Sequence, residues 1–206
     1  ELIDLTLRAM LNNGDEVLIP SPDYPLWTAA TVLNGGRAVY YPCPESQSFN
    51  PDVEAIERLI SKRTRAIVVI NPNNPTGAVY DAEVLQAIAD IAAKHGLIVL
   101  SDEIYDQMVY DDARFVPMAT LCRETLCATF SGLSKVYRAC GYRVGWVSFS
   151  GAAERAENYL NALDRYKFLT ILNAGNETEE HQFVKQACML WLVNYPGDLY
   201  VQYQQA

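Results

Sequence analysis

The stretch AIVVINPNNPTGAVYDAEVLQAIADIAAKHGLIVLSDEIY (Ala66–Tyr105) decides the fold. Its two apolar runs, AIVVI (Ala66–Ile70) and LIVL (Leu97–Leu100), are short, β-branched and without alternation, which is how strands buried on both faces read. Between them, residues 82–95 carry a helical period, with Asp81 placed as N-cap and Gly96 as stop. Strand, helix and strand in that order is the unit of a parallel sheet flanked by helices.

Outward from this unit the same alternation continues. Strands are expected over 17–19, 38–41, 126–130 and 144–149, and helices over 24–33, 53–61 and 152–167. AVYY (Ala38–Tyr41) reads equally well as an edge strand. The chain opens on ELIDLTLRAML (Glu1–Leu11), an amphipathic helix with Leu2, Leu5, Ala9 and Met10 on one stripe, rather than on a signal-peptide pattern. No capping residue stands before it, so further chain upstream is expected. The expected fold class is α/β: a mainly parallel sheet with helices on both faces, expected to be incomplete at both ends.

At 206 residues, 50% of them hydrophobic, the chain is long enough to bury one sizeable core. A net charge of −9 argues against a nucleic-acid or acidic-membrane surface, either of which calls for a basic field. The apolar runs fall far short of the about 20 residues that a membrane span needs. Cys43, Cys122, Cys127, Cys140 and Cys188 are odd in number, scattered and without metal-ligand pairing, so they read as reduced thiols of a cytoplasmic protein. With only His95 and His181, neither a metal site nor a histidine-based triad is supported. Ser134 lacks the glycine that a hydrolase elbow carries two residues on, and no GxGxxG follows a strand.

In open sheets of this kind, ligands bind beyond the carboxyl ends of the strands, so the loops there hold the chemistry. NPNNPTG (Asn71–Gly77) follows AIVVI; it is a turn cluster, and its two prolines also fix the backbone on either side of Asn74, whose amide can be aimed at a ligand oxygen. SDEIY (Ser101–Tyr105) puts Asp102 at a strand end, where a carboxylate either caps a helix or wants a positive partner such as a protonated pyridine nitrogen. Glu103 beside it reads as structural. In SGLSKVYRACGYRVGW (Ser131–Trp146), Lys135 offers an imine-forming amine, Arg143 a planar fork for a phosphate, and Ser131 and Ser134 hydroxyl donors. Tyr24, in SPDYPLW (Ser21–Trp27), is either a core aromatic or a face on which a flat heterocycle stacks.

These motifs, in this order, resemble the large domain of the fold-type I pyridoxal phosphate aminotransferases, the aspartate aminotransferase superfamily, over roughly residues 1–164. The wording of SPDYPLWTAA, SDEIYDQM and FSGLSKVYR is similar to the bacterial glutamate–pyruvate (alanine-forming) aminotransferases within it. The resemblance implies pyridoxal 5'-phosphate as cofactor, an amino acid and a 2-oxo acid as substrates, and a homodimer in the full-length protein. It implies Lys135 as imine-forming lysine and proton shuttle, Asp102 as partner of the pyridine nitrogen, and Asn74 and Tyr105 as donors to the ring's phenolic oxygen. Arg143 with Ser131 or Ser134 would hold the phosphate, and Tyr24 would stack on the ring. A glycine loop would precede Glu1 and a small domain with a substrate-binding arginine would follow. Residues 165–206 do not read as that continuation, so the expected division is a partial large domain over 1–164 and a divergent or truncated segment over 165–206. Two other readings stay open: a protein that keeps the fold and the cofactor without turnover, and a β-lyase on the same scaffold.

Overall fold

The computed structural model describes residues 1–152 and 157–163 and, as backbone, residues 192–194. Among the described residues seven strands form one sheet: β1 (Glu16–Ser21), β2 (Arg37–Pro42), β3 (Thr64–Ile70), β4 (Ile98–Asp102), β5 (Leu126–Gly132), β6 (Gly145–Gly151) and β7 (Leu192–Asn194). Their order is β2-β1-β3-β4-β5-β6-β7. All neighbouring pairs are parallel except β5 and β6. The helices are α1 (Leu2–Met10), α2 (Pro25–Leu33), α3 (Val53–Leu59) and α4 (Ala82–His95), with a further helical stretch over 157–163.

β3 shows why the apolar run makes a central strand. Every residue of it is buried except Arg65, and successive side chains enter different cores. Ile67 and Val69 join Leu18, Val99 and Cys127 with Ile56 of α3 and Leu85, Ile88 and Ala92 of α4. Ala66, Val68 and Ile70 join Val17, Ile19, Leu100 and Phe130 with Leu7 of α1, Trp27 and Ala30 of α2, and Leu163. At ~1.5–3 kcal/mol for each valine or isoleucine taken from water, two-sided burial makes this strand the anchor of a three-layer α/β/α sandwich. β2, whose residues are mostly exposed or half-buried, lies at the sheet edge.

Several details depart from the sequence-based expectations. β6 runs antiparallel, because residues 133–144 contain one 3-10 turn and no α-helix with which to cross back over the sheet. The α1 stripe is wider than Leu2, Leu5, Ala9 and Met10: Leu7 and Thr6 are also buried. Gly96 does end α4 in a left-handed conformation, but the Asp81 carboxylate does not cap that helix. It accepts instead from the Asn50 amide at 2.9 Å, and Asn50 Oδ1 takes the Asp81 N–H at 3.0 Å. Helix is seen over 157–163 of the expected 152–167 span; residues 153–156 and 164–167 lie outside the described residues, as does most of the 165–206 segment, Cys188 included.

Register sets the loops side by side. Ile70 pairs with Asp102, Asp102 with Phe130, and Gly132 with Gly145. The ends of β3, β4 and β5 and, through the antiparallel turn, the start of β6 therefore share one edge of the sheet.

Candidate functional site

At the centre of that edge is Asp102, the last residue of β4 and only 7% exposed. Trp27 Nε1 donates to its Oδ2 at 3.0 Å, and the Ile104 N–H approaches Oδ1 at 3.4 Å. Burial raises its pKa above the usual carboxylate value, against the lowering effect of those two donors. Among the described residues none of the groups acting on it is a cation. It does not cap an α-helix, since turns follow it. Glu103 is a different case: Ser101 Oγ and the Met118 N–H donate to its Oε1 at 2.8 and 3.0 Å, so its carboxylate ties β4 to the segment at Met118. Burial pushes its pKa up to about 7.

The asparagines of NPNNPTG divide into two kinds. Asn71 Oδ1 accepts the Tyr80 N–H at 2.9 Å, and the Asn71 N–H donates to the Asp102 carbonyl at 3.1 Å, locking the loop to β4. Asn73 donates to Tyr80 Oη at 2.9 Å and accepts from Thr76 Oγ1 at 2.8 Å and the Thr76 N–H at 3.2 Å. Both are buried and shape the turn. Asn74 is half-buried, and its side chain makes no hydrogen bond among the described residues. Of the three amides it alone is half-exposed, with neither its oxygen nor its nitrogen engaged among the described residues; Asn71 Nδ2 also lacks a partner but is buried behind its loop.

β5 ends at Gly132, where a Cβ would stand 2.8 Å from the Val144 carbonyl oxygen, so the close approach of the two strands requires glycine. Ser131 and Ser134 flank it, half-buried, and Lys135 follows at the surface. Lys135 Nζ lies 5.6 Å from the centre of the Tyr105 ring, within cation–π range, so the structure brings these two together. Arg143 sits just before β6 in a left-handed conformation, and its Nη1 donates to the Cys140 carbonyl at 2.9 Å. Tyr24 is the N-cap of α2 and 39% exposed, which places it at the surface and not in the core.

The sequence reading missed Trp27. An aromatic in a helix passes for core, and this one is fully buried; the available signal was its position three residues after Tyr24, one helical turn along the same loop-to-helix junction. The amine, the uncommitted carboxamide, the guanidinium fork and the hydroxyls suit a flat aldehyde-bearing heterocycle with a phosphate. The buried carboxylate without a cation is the sharpest test of that fit, because a protonated ring nitrogen would supply what it lacks.

A family model described as aminotransferase class I and II matches residues 1–172. Over 163 residues the chain is 54% identical to an alanine aminotransferase of Mycobacterium tuberculosis, covering 79% of this chain and 38% of that protein. It is 51% identical over 164 residues to the glutamate-pyruvate aminotransferase AlaA of Escherichia coli, covering 80% and 40%. Among solved structures, an Escherichia coli aminotransferase superposes with a TM-score of 0.80 at 45% identity, covering 91% of this chain and 46% of that one. An alanine aminotransferase from Pyrococcus furiosus gives 0.80 at 36%, covering 90% and 46%. The chain thus spans about two fifths of the length of the curated relatives it matches.

Proposed function

This chain belongs to the class I and II aminotransferases, a pyridoxal-phosphate-dependent family, and from that premise we propose that it supplies the cofactor-binding half of an enzyme transferring an amino group from an amino acid to a 2-oxo acid. The substrates we assign are alanine with pyruvate and glutamate with 2-oxoglutarate, on the strength of the relatives' names. We place the protein in the cytoplasm as a homodimer.

One observation carries the reading: Asp102, buried at the mouth of β4 and without a cation among the described residues. Its carboxylate would hold a proton on the cofactor's ring nitrogen, and that cation would offset the desolvation which raises its pKa. Lys135 Nζ would condense with the cofactor aldehyde when substrate is absent. Once free, the same amine would take the proton from the substrate α-carbon at its Nζ and pass it on within the site. Tyr105, whose ring lies against that amine, and Asn74 would donate to the ring's phenolic oxygen. Arg143, Ser131 and Ser134 would hold the phosphate, and Tyr24 would cover one face of the ring. When bound, pyridoxal phosphate supplies the electron sink that makes the α-proton removable.

The full-length protein that contains this chain, given pyridoxal phosphate, alanine and 2-oxoglutarate, is expected to form pyruvate, and its Lys135→Ala variant to form none. Cofactor bound by that full-length protein with no pyruvate formed would reject transamination, and release of pyruvate from cysteine conjugates instead would make it a lyase.

A further inference from the structure

We propose that Trp27 is a positioning residue: its indole N–H fixes the Asp102 carboxylate so that Oδ1 is presented to the cofactor's ring nitrogen. This rests on the reading of Asp102 given above. Trp27 comes to Asp102 from 75 residues away in the chain, and both are buried. Pro25 starts α2, which sets the direction of the third residue, Trp27, and Thr31 Oγ1 returns to the Trp27 carbonyl at 2.8 Å. The indole meets Phe130 edge to face, with centroids 5.3 Å apart and planes at 85°. Phe130 is in turn the register partner of Asp102 on β5. The ring is therefore held on one side by the same pair of strands that carries the carboxylate, and it has little freedom to turn its N–H elsewhere.

The chemistry of the contact is one-sided. An indole donates and cannot accept, so the bond at Oδ2 favours the ionised carboxylate and would be weakened by a proton placed on that oxygen. Oδ1 has only the long 3.4 Å approach from the Ile104 N–H among the described residues, which leaves it acceptor capacity. One helix start thus serves both sides of the site: Tyr24 stands half-exposed at its N-cap and Trp27 lies beneath, against the carboxylate.

The test is titration of the protein with ring-15N-labelled pyridoxal phosphate, reading the dissociation constant and the ring-nitrogen chemical shift. Trp27→Phe keeps the aromatic contact and removes the donor; it is expected to weaken cofactor binding about tenfold, the size of a hydrogen bond to a charged group, and to move the nitrogen signal toward the unprotonated form. In an Asp102→Asn background the same change should alter affinity less than about twofold, because a residue acting through a charge has nothing to act through once the charge is gone. If Phe at position 27 does not fold, 3-benzothienylalanine keeps the ring's shape and removes the N–H alone. An effect of equal size with and without the Asp102 charge, or an unmoved nitrogen signal in Trp27→Phe when Asp102→Asn moves it, overturns the role of Trp27 alone. An Asp102→Asn protein whose affinity and nitrogen signal match the wild type overturns the reading of Asp102 and the proposal with it.

Discussion

Replacing Gly132 by alanine strikes the point where β5 hands over to the lysine loop. A Cβ there would stand 2.8 Å from the Val144 carbonyl oxygen and 3.1 Å from Gly145 Cα, whereas ordinary contact begins at 3.4 Å. The shortfall of about 0.6 Å (3.4 − 2.8) falls on backbone that cannot rotate away, and the Val144 oxygen is already accepting the Leu133 N–H at 3.1 Å. Strand separation at such a site costs ~1–3 kcal/mol, in line with overpacking elsewhere. At about 2–4 °C per kcal/mol for a chain of this size, the melting temperature should drop by about 2–12 °C. Gly141→Ala, in the same loop but with nothing within 4 Å of the added methyl, should stay within about 0.5 kcal/mol of wild type. Thermal unfolding followed by circular dichroism compares the two. Equal melting of both variants, or a Gly132→Ala protein as stable as wild type, would refute the close approach and the placement of Lys135 that depends on it.

The neighbouring asparagines should separate fold from ligand. Asn73→Ala breaks bonds to Tyr80 and Thr76 and should cost ~1–3 kcal/mol in denaturant unfolding, while Asn74→Ala should cost less than about 0.5 kcal/mol and weaken cofactor binding instead. Glu103 should make stability fall with rising pH. Its folded pKa of about 7 lies above the ordinary 4.5, so the folded state binds the extra proton between those values. Its contribution is full below 4.5 and lost as pH passes about 7, a change of up to about 3 kcal/mol at 1.36 kcal/mol per pH unit. Asp102, raised likewise by burial, acts in the same sense, so the readout is the difference between wild type and Glu103→Gln in urea unfolding from pH 4 to 8. Parallel curves for the two proteins would contradict the burial argument.

Strands buried on both faces were legible because nothing but an apolar, β-branched run can fill two cores at once; Ile67 and Val68 enter opposite ones. The direction of β6 was less legible, since hydrophobicity does not encode strand polarity, although the short connection after Gly132 without an α-helix carries that information. Asp81 shows the reach of tertiary context: a side chain well suited to cap its own helix is taken by Asn50, 31 residues away. In the candidate site, the strand-end rule located Asp102, Asn74 and Lys135. What separates Asn74 from Asn71 and Asn73 is that the loop buries those two and takes their carboxamide oxygens, and that is visible only once the chain has turned back on Tyr80. Trp27 needed the structure for the same reason, because its partner lies 75 residues on.

The central claim is that Lys135 stands where it can join covalently to pyridoxal phosphate. Adding the cofactor to purified protein and recording the absorbance spectrum tests it directly. A band above about 400 nm, as a lysine Schiff base of this cofactor gives, should appear in the wild type and be absent from Lys135→Ala. A wild-type spectrum without that band, or a band that survives the loss of Lys135, would contradict the account.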